Sequence, residues 1–393
     1  MYSFTAVDPD HKFKGSRDPL GFQKIWSDTG RMLIKHLSTV SSNINDFQIW
    51  CYAKNFHRRF ANEKEHNFLD FFLKTEQAFA YARYLINNEK SFNGKTRVSN
   101  KSDNESFTFS IDKEDQILSN QKAYGIYGKY SRPARDMKLI EDDDFENLFS
   151  LDSNEKAHLI FNKLLNESVI IMSKDDLEPI AELIKDLNNE KRSFFRRKIL
   201  IAHDHDLEHS QEKLYNLLMK NNHLAILDNY NLFTFLHDLK ALNISDELEF
   251  AINEIEQTEK VLAPLNYQFS KLLTRGIWTN EELFGNIAQA VDHLFKMHEV
   301  NQLNSLLNEK NKSRFIKSLI ERNQFISKRR DSIGWFRDEG DRLVKLFGDT
   351  HFNDDVNFSD YITNDYSEST YSENSYFIHS YLSLFNQIEN KQS

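Results

Sequence analysis

Apolar residues recur three or four positions apart along most of this chain, which is the spacing of one face of an α-helix. Three such runs lie within the first 90 residues, and further runs follow each other closely from about residue 154 to about residue 330. Many of them begin at Asp, Ser, Thr or Asn, which are the residues that cap helix N-termini. Only residues 107–111 alternate in the manner of a strand. The pattern therefore predicts an all-α fold with at most a minor short β element.

A segment that contains glycine separates the helical runs into two groups. Residues 123–130 read AYGIYGKY, which is too rich in glycine for a helix interior. We expect a tight turn here, packed by its tyrosines, with Pro133 opening a second short helix. The predicted organisation is an N-terminal helical domain over 1–111, a helix–turn–helix-like joint over 112–150, a C-terminal array of stacked helical hairpins over 151–348, and an acidic segment with a terminal helix over 349–393.

Composition supports the helical prediction and limits the function. The chain of 393 residues contains 11 Gly and 5 Pro, and both are well below the usual shares of about 7% and 5%. β-Sandwiches, β-barrels and dinucleotide-binding folds contain more glycine, because their turns and phosphate-binding loops require it, so the composition argues against them. The formal net charge of −10 argues against a chain that coats nucleic acid, although a local basic contact stays open. The single cysteine, Cys51, excludes a disulfide framework and is predicted to be a buried structural thiol.

Two ends of the chain bear on its surroundings. The N-terminal residues lack the apolar core of a signal peptide, and no run of about 18 apolar residues could cross a membrane. We therefore expect a soluble, cytoplasmic protein with no membrane partner. Residues 349–375 are acidic, rich in Ser, Asn and Tyr, and nearly free of aliphatic side chains. This composition predicts a segment that is flexible or is ordered by a partner.

Two basic segments are candidates for contact with nucleic acid. Residues 190–200 (EKRSFFRRKIL) interleave cations with phenylalanines, and residues 310–330 form an amphipathic helix with a cationic outer face. Such groups can hold a phosphate backbone, whereas the alternatives are a solvated face with arginine stems packed on the core or an acidic partner helix. The candidate residues are Lys191, Arg192, Arg196, Arg197, Lys198, Lys310, Arg314, Lys317, Lys328, Arg329 and Arg330.

A histidine cluster is the one candidate for metal chemistry. Residues 202–209 read AHDHDLEH, and on a helix His205 and His209 would be one turn apart, with His203 and Asp206 close by. The His-Asp pair resembles that of HD-type phosphohydrolases, but the further His and Asp that such a site needs have no supporting context here. The favoured interpretation is a polar break in which Asp206 caps a helix over 206–221. We therefore expect no bound metal and no cofactor.

Other enzyme signatures do not occur in the sequence. It has no GxxxxGK[ST] phosphate loop, no GxGxxG, no GxSxG elbow and no HExxH. A nuclease of the PD-(D/E)xK type would need acidic residues on adjacent strands, and only one strand is predicted. The sequence therefore carries no specific catalytic motif.

Three stretches carry a resemblance to a known group of proteins. They are DPLGFQKIW…GRMLIKHLSTVSSNINDFQ (18–48), FFLKTEQAFAYARY (71–84) and AYGIYGKYSRPARDMKLI (123–140). Over about the first 140 residues the chain resembles mostly helical accessory subunits of bacterial anti-phage defence operons. In such systems a helical subunit accompanies an ATPase, often SMC-like, and an effector such as a nuclease. The resemblance implies a non-enzymatic accessory or scaffold subunit that binds an ATPase or effector and contacts DNA within the complex.

Two other functions stay open at this point. One is a metal-dependent phosphohydrolase or nuclease that uses the cluster from His203 to His209. The other is a DNA-binding regulator that uses the predicted joint as a helix–turn–helix, although only Lys122, Lys129 and Arg132 would be there to meet phosphate.

Overall fold

The computed structural model describes residues 18–62, 65–185, 187–202, 209–279, 291–340, 342–346, 372 and 374–389. Within these residues the chain is mostly helical, with one two-stranded and one three-stranded antiparallel sheet. The predicted helical class is thus confirmed in its main feature. The strands, however, amount to more than the single short one that the sequence predicted. None of the described helices is long and apolar enough to cross a membrane.

The helices are α1 Phe22–Gly30, α2 Ile44–Phe60, α3 Phe68–Leu85, α4 Lys95–Asn100, α5 Gln121–Tyr124, α6 Ile126–Asp136, α7 Phe145–Leu148, α8 Glu155–Asn166, α9 Lys174–Lys185, α10 Asn189–Phe195, α11 Ser210–Lys220, α12 Leu232–Lys240, α13 Asp246–Leu272, α14 His298–Leu307, α15 Lys312–Arg329 and α16 Ile378–Glu389. A π-helical turn, Arg196–Ile201, continues α10, and 3₁₀ turns cover Leu139–Glu141 and Asn222–Ala225. The strands are β1 Ser106–Phe109, β2 Ile170–Ser173, β3 Ile277–Thr279, β4 Phe336–Asp338 and β5 Arg342–Lys345.

The chain divides into two compact units that the sequence pattern does not mark. The first unit comprises residues 1–33 and 228–376, and the second comprises residues 34–227 and 377–393. The predicted boundaries at 111, 150 and 348 do not coincide with this division. The segment 112–150, predicted as a joint between two bodies, lies wholly inside the second unit.

Asparagine begins many of these helices. The side chains of Asn43, Asn67, Asn154, Asn188 and Asn311 each accept a hydrogen bond from a backbone N–H in the first turn that follows. An N-cap of this kind satisfies one of the donors that a helix start leaves free. The cap of α2 is Asn43, whose side chain accepts from the Asn45 N–H.

The core of the second unit surrounds α3. Residues 71–83 of this helix are all buried, and Phe56 and Phe71 pack with Phe161 of α8 at ring-centroid distances of 5.3 and 6.1 Å. β1 pairs with β2 antiparallel, with Phe107 opposite Met172. The predicted strand at 107–111 is therefore present over Ser106–Phe109. Its partner β2 occupies the end of a run predicted as helix, because α8 stops at Asn166.

The glycines of the AYGIYGKY stretch allow close packing. α5 ends before Gly125, and an added Cβ there would lie 2.5 Å from both Gln121 O and Glu76 Oε1. A Cβ on Gly128 would lie 2.2 Å from Ala123 O, so α5 and α6 can approach this closely only with glycine. The expected turn is therefore confined to Gly125. Pro133 lies inside α6 instead of opening a helix.

The first unit packs α1, α13, α14 and α15 together with a small sheet around one apolar core. The sheet has the order β3-β5-β4, and Trp278, Phe336 and Leu343 are its buried residues. The prediction of stacked helical hairpins up to residue 348 is wrong for this part of the chain, because β4 and β5 form a β-hairpin. Gly340, at φ +91°, supplies the left-handed backbone that this turn requires.

Candidate functional site

The cations of the first basic segment, residues 191–198, bond to other residues of the second unit. Lys191 is buried and donates a hydrogen bond to Tyr52 Oη, and burial lowers the pKa of its ammonium group to about 8. Arg192 donates to the backbone carbonyls of Leu187, at 2.9 Å, and of Ile388. Two of the five cations predicted to meet nucleic acid therefore stabilise the fold of their own unit.

The remaining cations of this segment pair with acidic residues. Arg196 donates two hydrogen bonds of 2.7 Å to the Glu389 carboxylate on α16, and that side chain is only 6% exposed. Tyr215 also donates to Glu389, at 3.2 Å. This arrangement ties the end of α16 to the π-helical turn.

The acidic residues 141–144, which follow α6, form ion pairs with the same basic segment. Arg197 lies 2.9 Å from Asp144, and Lys198 lies 3.1 Å from Asp142. Two carboxylates of the run 141–144 therefore form ion pairs with the first basic segment. Nucleic-acid binding by residues 191–198 stays a prediction, but all five of its cations already have partners in the second unit.

The second basic segment has the opposite arrangement. One face of α15 packs Phe315, Ile316 and Leu319 into the core of the first unit. The other face exposes Arg314, Lys317 and Lys328, together with Phe325, whose ring is 58% exposed. Residues 314, 317, 325 and 328 are spaced so that they fall on one side of an α-helix. We call these four residues the α15 basic face.

The flanks of α15 fix the helix in place. Arg330 donates hydrogen bonds to the Asp18 carbonyl at 2.6 Å and to its carboxylate at 2.9 Å. Arg329 lies 5.6 Å from the Phe325 ring, and Lys310 is exposed just before the helix. Of the second set of candidates, Arg330 is thus structural, whereas the others are at the surface.

The predicted metal cluster lies largely outside the described residues. His203, His205 and Asp206 belong to 203–208, which the structure does not describe. His209 precedes α11 with φ +53° and places Nδ1 at 3.1 Å from Glu212. Within the described part of the chain, no three His, Cys, Asp or Glu side chains converge as metal ligands. The helix predicted from 206 starts at Ser210.

A buried charge cluster, which the sequence analysis missed, lies between α2 and α3. Arg83 is 2% exposed, donates to Asp46 at 2.6 Å, and also donates through two nitrogens to Glu89. The amide nitrogens of Asn43 and Asn45 donate to the same Glu89 carboxylate at 3.3 and 3.2 Å. These bonds hold the pKa of Glu89 below its usual value, with Arg83 as the main stabilising partner.

A second buried carboxylate, Glu76, lies on the same face of α3 two turns before Arg83. Glu76 accepts hydrogen bonds from the Ile126 backbone N–H at 2.6 Å and from Gln121 Nε2 at 3.0 Å. Burial nevertheless raises its pKa to about 7, because the charged form is removed from water. Glu76 thus ties α3 to the start of α6. The signal for both clusters was the presence of charged residues inside the aromatic run of α3.

A polar cleft of about 1180 Å³ opens beside the Arg83 cluster. Five elements form its walls. They are the N-terminal turn of α2, residues 86–93 that follow α3, the helix α6, the C-terminal end of α9, and the helix α16. Gln387 of α16 donates to Ser42 O at 2.8 Å and accepts from the Ile44 N–H at 2.9 Å. The last helix of the chain therefore completes the cleft of a unit that begins at residue 34.

Comparison with known proteins adds no family to these observations. No protein-family model matches the chain, and neither the curated proteins nor the solved structures yielded a match.

Proposed function

We propose that the chain is a non-enzymatic accessory or scaffold subunit of a multi-protein bacterial complex, of the kind that acts in antiviral defence. It would work in the cytoplasm, bind an ATPase or effector subunit, and contact nucleic acid within the complex. The α15 basic face, Arg314, Lys317, Phe325 and Lys328, is the observation that carries the nucleic-acid contact.

The physical support is the difference between the two faces of α15. Its apolar face is buried in its own unit, and Arg322 and Arg330 bond to Leu20 and Asp18, so the helix is held in place without Arg314, Lys317 or Lys328. Three cations and an exposed aromatic ring then remain on the surface of a chain whose net charge is −10. Cations of this kind bind phosphate by releasing counterions, and an exposed ring offers a surface on which a base can stack. Nonspecific contact with single-stranded or duplex nucleic acid fits this arrangement.

The proposed contact with nucleic acid can be tested by charge reversal. We expect R314E/K317E/K328E to lower the affinity for a fluorescently labelled 20-mer at least tenfold at low salt, because three phosphate contacts are lost. The measurement is fluorescence anisotropy on the full chain, with single-stranded and duplex probes of the same sequence.

A matched control variant distinguishes an effect of the α15 basic face from an effect of the net charge of the chain. K163E/K174E/K220E makes the same change in net charge at three exposed lysines of the second unit. Equal losses in both triple variants would mean that only net charge matters, and would contradict the α15 assignment. Unchanged binding in the α15 variant would contradict it as well.

The scaffold role needs a separate test, because it concerns protein partners. We expect the full chain, isolated from its native host, to co-purify in fixed ratio with an ATPase and an effector. A chain that returns alone would count against the scaffold role. Metal analysis of the same sample would test the alternative that the cluster from His203 to His209 supports phosphohydrolase or nuclease chemistry.

A further inference from the structure

The polar cleft of the second unit is large enough to hold a small molecule. Its volume of about 1180 Å³ exceeds the range that ligand pockets usually occupy, about 300–1,000 Å³, so a small ligand would fill part of it. Five separate elements of one unit enclose it. Nothing in the proposed contact through α15, which belongs to the other unit, uses this cleft.

The charges that line the cleft favour an anion. Its two carboxylates, Asp46 and Glu89, are both held by Arg83, which satisfies them from the protein side. Three lysines also line it, Lys90, Lys129 and Lys185. Lys90 lies over the ring of Tyr84 and Lys185 pairs with Glu182 at the surface, but both remain exposed. The cleft therefore has more positive than negative charge to offer a ligand.

Lys129 is the most informative of the three lysines. It extends from α6, is half-buried, and has no ion pair with any other described residue. The carboxylates of Asp46 and Glu76 influence it only through space, and burial lowers the pKa of its ammonium group. A half-buried ammonium group without a counterion is costly for a protein to maintain. A bound anion would supply the missing counterion.

We propose that this cleft binds a nucleotide. Phosphate groups would lie against Lys129, with Lys90 and Lys185 at the mouth. Phe92, half-buried in the lining beside the Arg83 guanidinium, offers an aromatic surface for the base. Nucleotide binding is independent of the proposed contact through α15, and either can fail alone.

Isothermal titration calorimetry on the full chain tests this inference, with ATP, GTP, AMP and inorganic pyrophosphate as separate probes. We expect at least one nucleotide to bind more tightly than pyrophosphate. K129A should weaken its binding at least tenfold. K163A, at an exposed lysine outside the cleft, should bind as the unchanged chain does.

Three results would overturn the inference. The first is that none of the four probes gives a heat of binding. The second is that K129A binds the nucleotide with the same affinity as the unchanged chain. The third is that pyrophosphate binds as tightly as every nucleotide. Should K129A fail to fold by circular dichroism, K90A/K185A changes only exposed side chains and replaces it. That double variant should weaken nucleotide binding at least threefold, and equal binding would overturn the inference.

Discussion

The two basic segments look alike in the sequence and differ in the structure. Both alternate cations with phenylalanines over a helical stretch, and both were predicted to meet nucleic acid. In the segment 191–198 every predicted contact residue is paired inside the second unit. In α15 the cations at 314, 317 and 328 remain at the surface. The difference arises from acidic residues and carbonyls far away in the sequence.

Charge in the second unit is thus largely structural. Glu389, which receives Arg196, lies 193 positions away in the chain, and Asp144, which receives Arg197, lies 53 positions away. Arg83 and its two carboxylates extend the same pattern to the centre of the unit. A cation count along the sequence cannot distinguish these residues from those of α15, so the comparison has to be tested by measurement.

The largest effect should come from the buried arginine. We expect R83M to lower the free energy of unfolding by about 3–5 kcal/mol, because Asp46 and Glu89 would be left as buried charges without their partner. Urea unfolding followed by circular dichroism measures it. R314M on α15 is the matched control and should change stability by no more than about 0.5 kcal/mol. Similar losses of unfolding free energy in R83M and R314M would contradict the distinction between the buried Arg83 and the exposed cations of α15.

The next effect is a pH dependence that originates at Glu76. Its pKa is about 7 in the folded chain and about 4.3 in an unfolded one. Between these values the folded state holds a proton that the unfolded state has lost, so stability falls as the pH rises. One pKa unit corresponds to about 1.4 kcal/mol, so the loss from pH 5 to pH 8 is on the order of 3 kcal/mol.

The variant E76Q isolates this contribution. It cannot ionise, and we expect its stability relative to the unchanged chain to rise by about 2–3 kcal/mol between pH 5 and pH 8. Urea unfolding of both chains at pH 5, 6, 7 and 8 gives the comparison. A constant difference across this range would show that the Glu76 carboxyl has the same pKa in both states.

A smaller effect is expected at Arg196, which is partly exposed. R196A should cost about 1–3 kcal/mol, because Glu389 would keep only the hydrogen bond from Tyr215. The double variant R196A/E389A should recover part of that loss, which a double-mutant cycle would report as coupling between the two residues. A cycle with no coupling would mean that this pair does not stabilise α16. Affinity for nucleic acid should be unchanged in all three variants.

Local patterns predicted the elements better than their arrangement. The aromatic α3, the amphipathic α15 and the strand near residue 107 follow from the spacing of apolar residues. The hairpin at 336–345 does not, because GWFRDEGDRLVKLFG has helical spacing and turns only at Gly340. The two units could not be predicted either, since each joins segments from distant parts of the chain.

The candidate sites divide in the same way. The cations of the α15 basic face follow from the spacing along one helix, so the sequence predicted them, whereas the exposed ring of Phe325 was found only in the structure. The cleft depends on Asn43, Asn87, Lys129 and Gln387, which come together only after four elements pack. The Arg83 cluster had a local signal, an arginine and a glutamate within an aromatic helix. Their partners were beyond the reach of a periodic pattern, because Asp46 lies on another helix and Glu89 lies beyond the end of α3.

The smallest effect on stability should come from α15 itself, where binding should change instead. We expect K317A to alter the free energy of unfolding by no more than about 0.5 kcal/mol, because the side chain is exposed and has no ion pair among the described residues. Each phosphate contact contributes about 0.9 to the slope of log affinity against log salt concentration. The slope should therefore fall by about this amount in K317A and stay unchanged in K163A. A full slope in K317A, together with a reduced slope after changes in the segment 191–198, would reverse the assignment of the two basic segments.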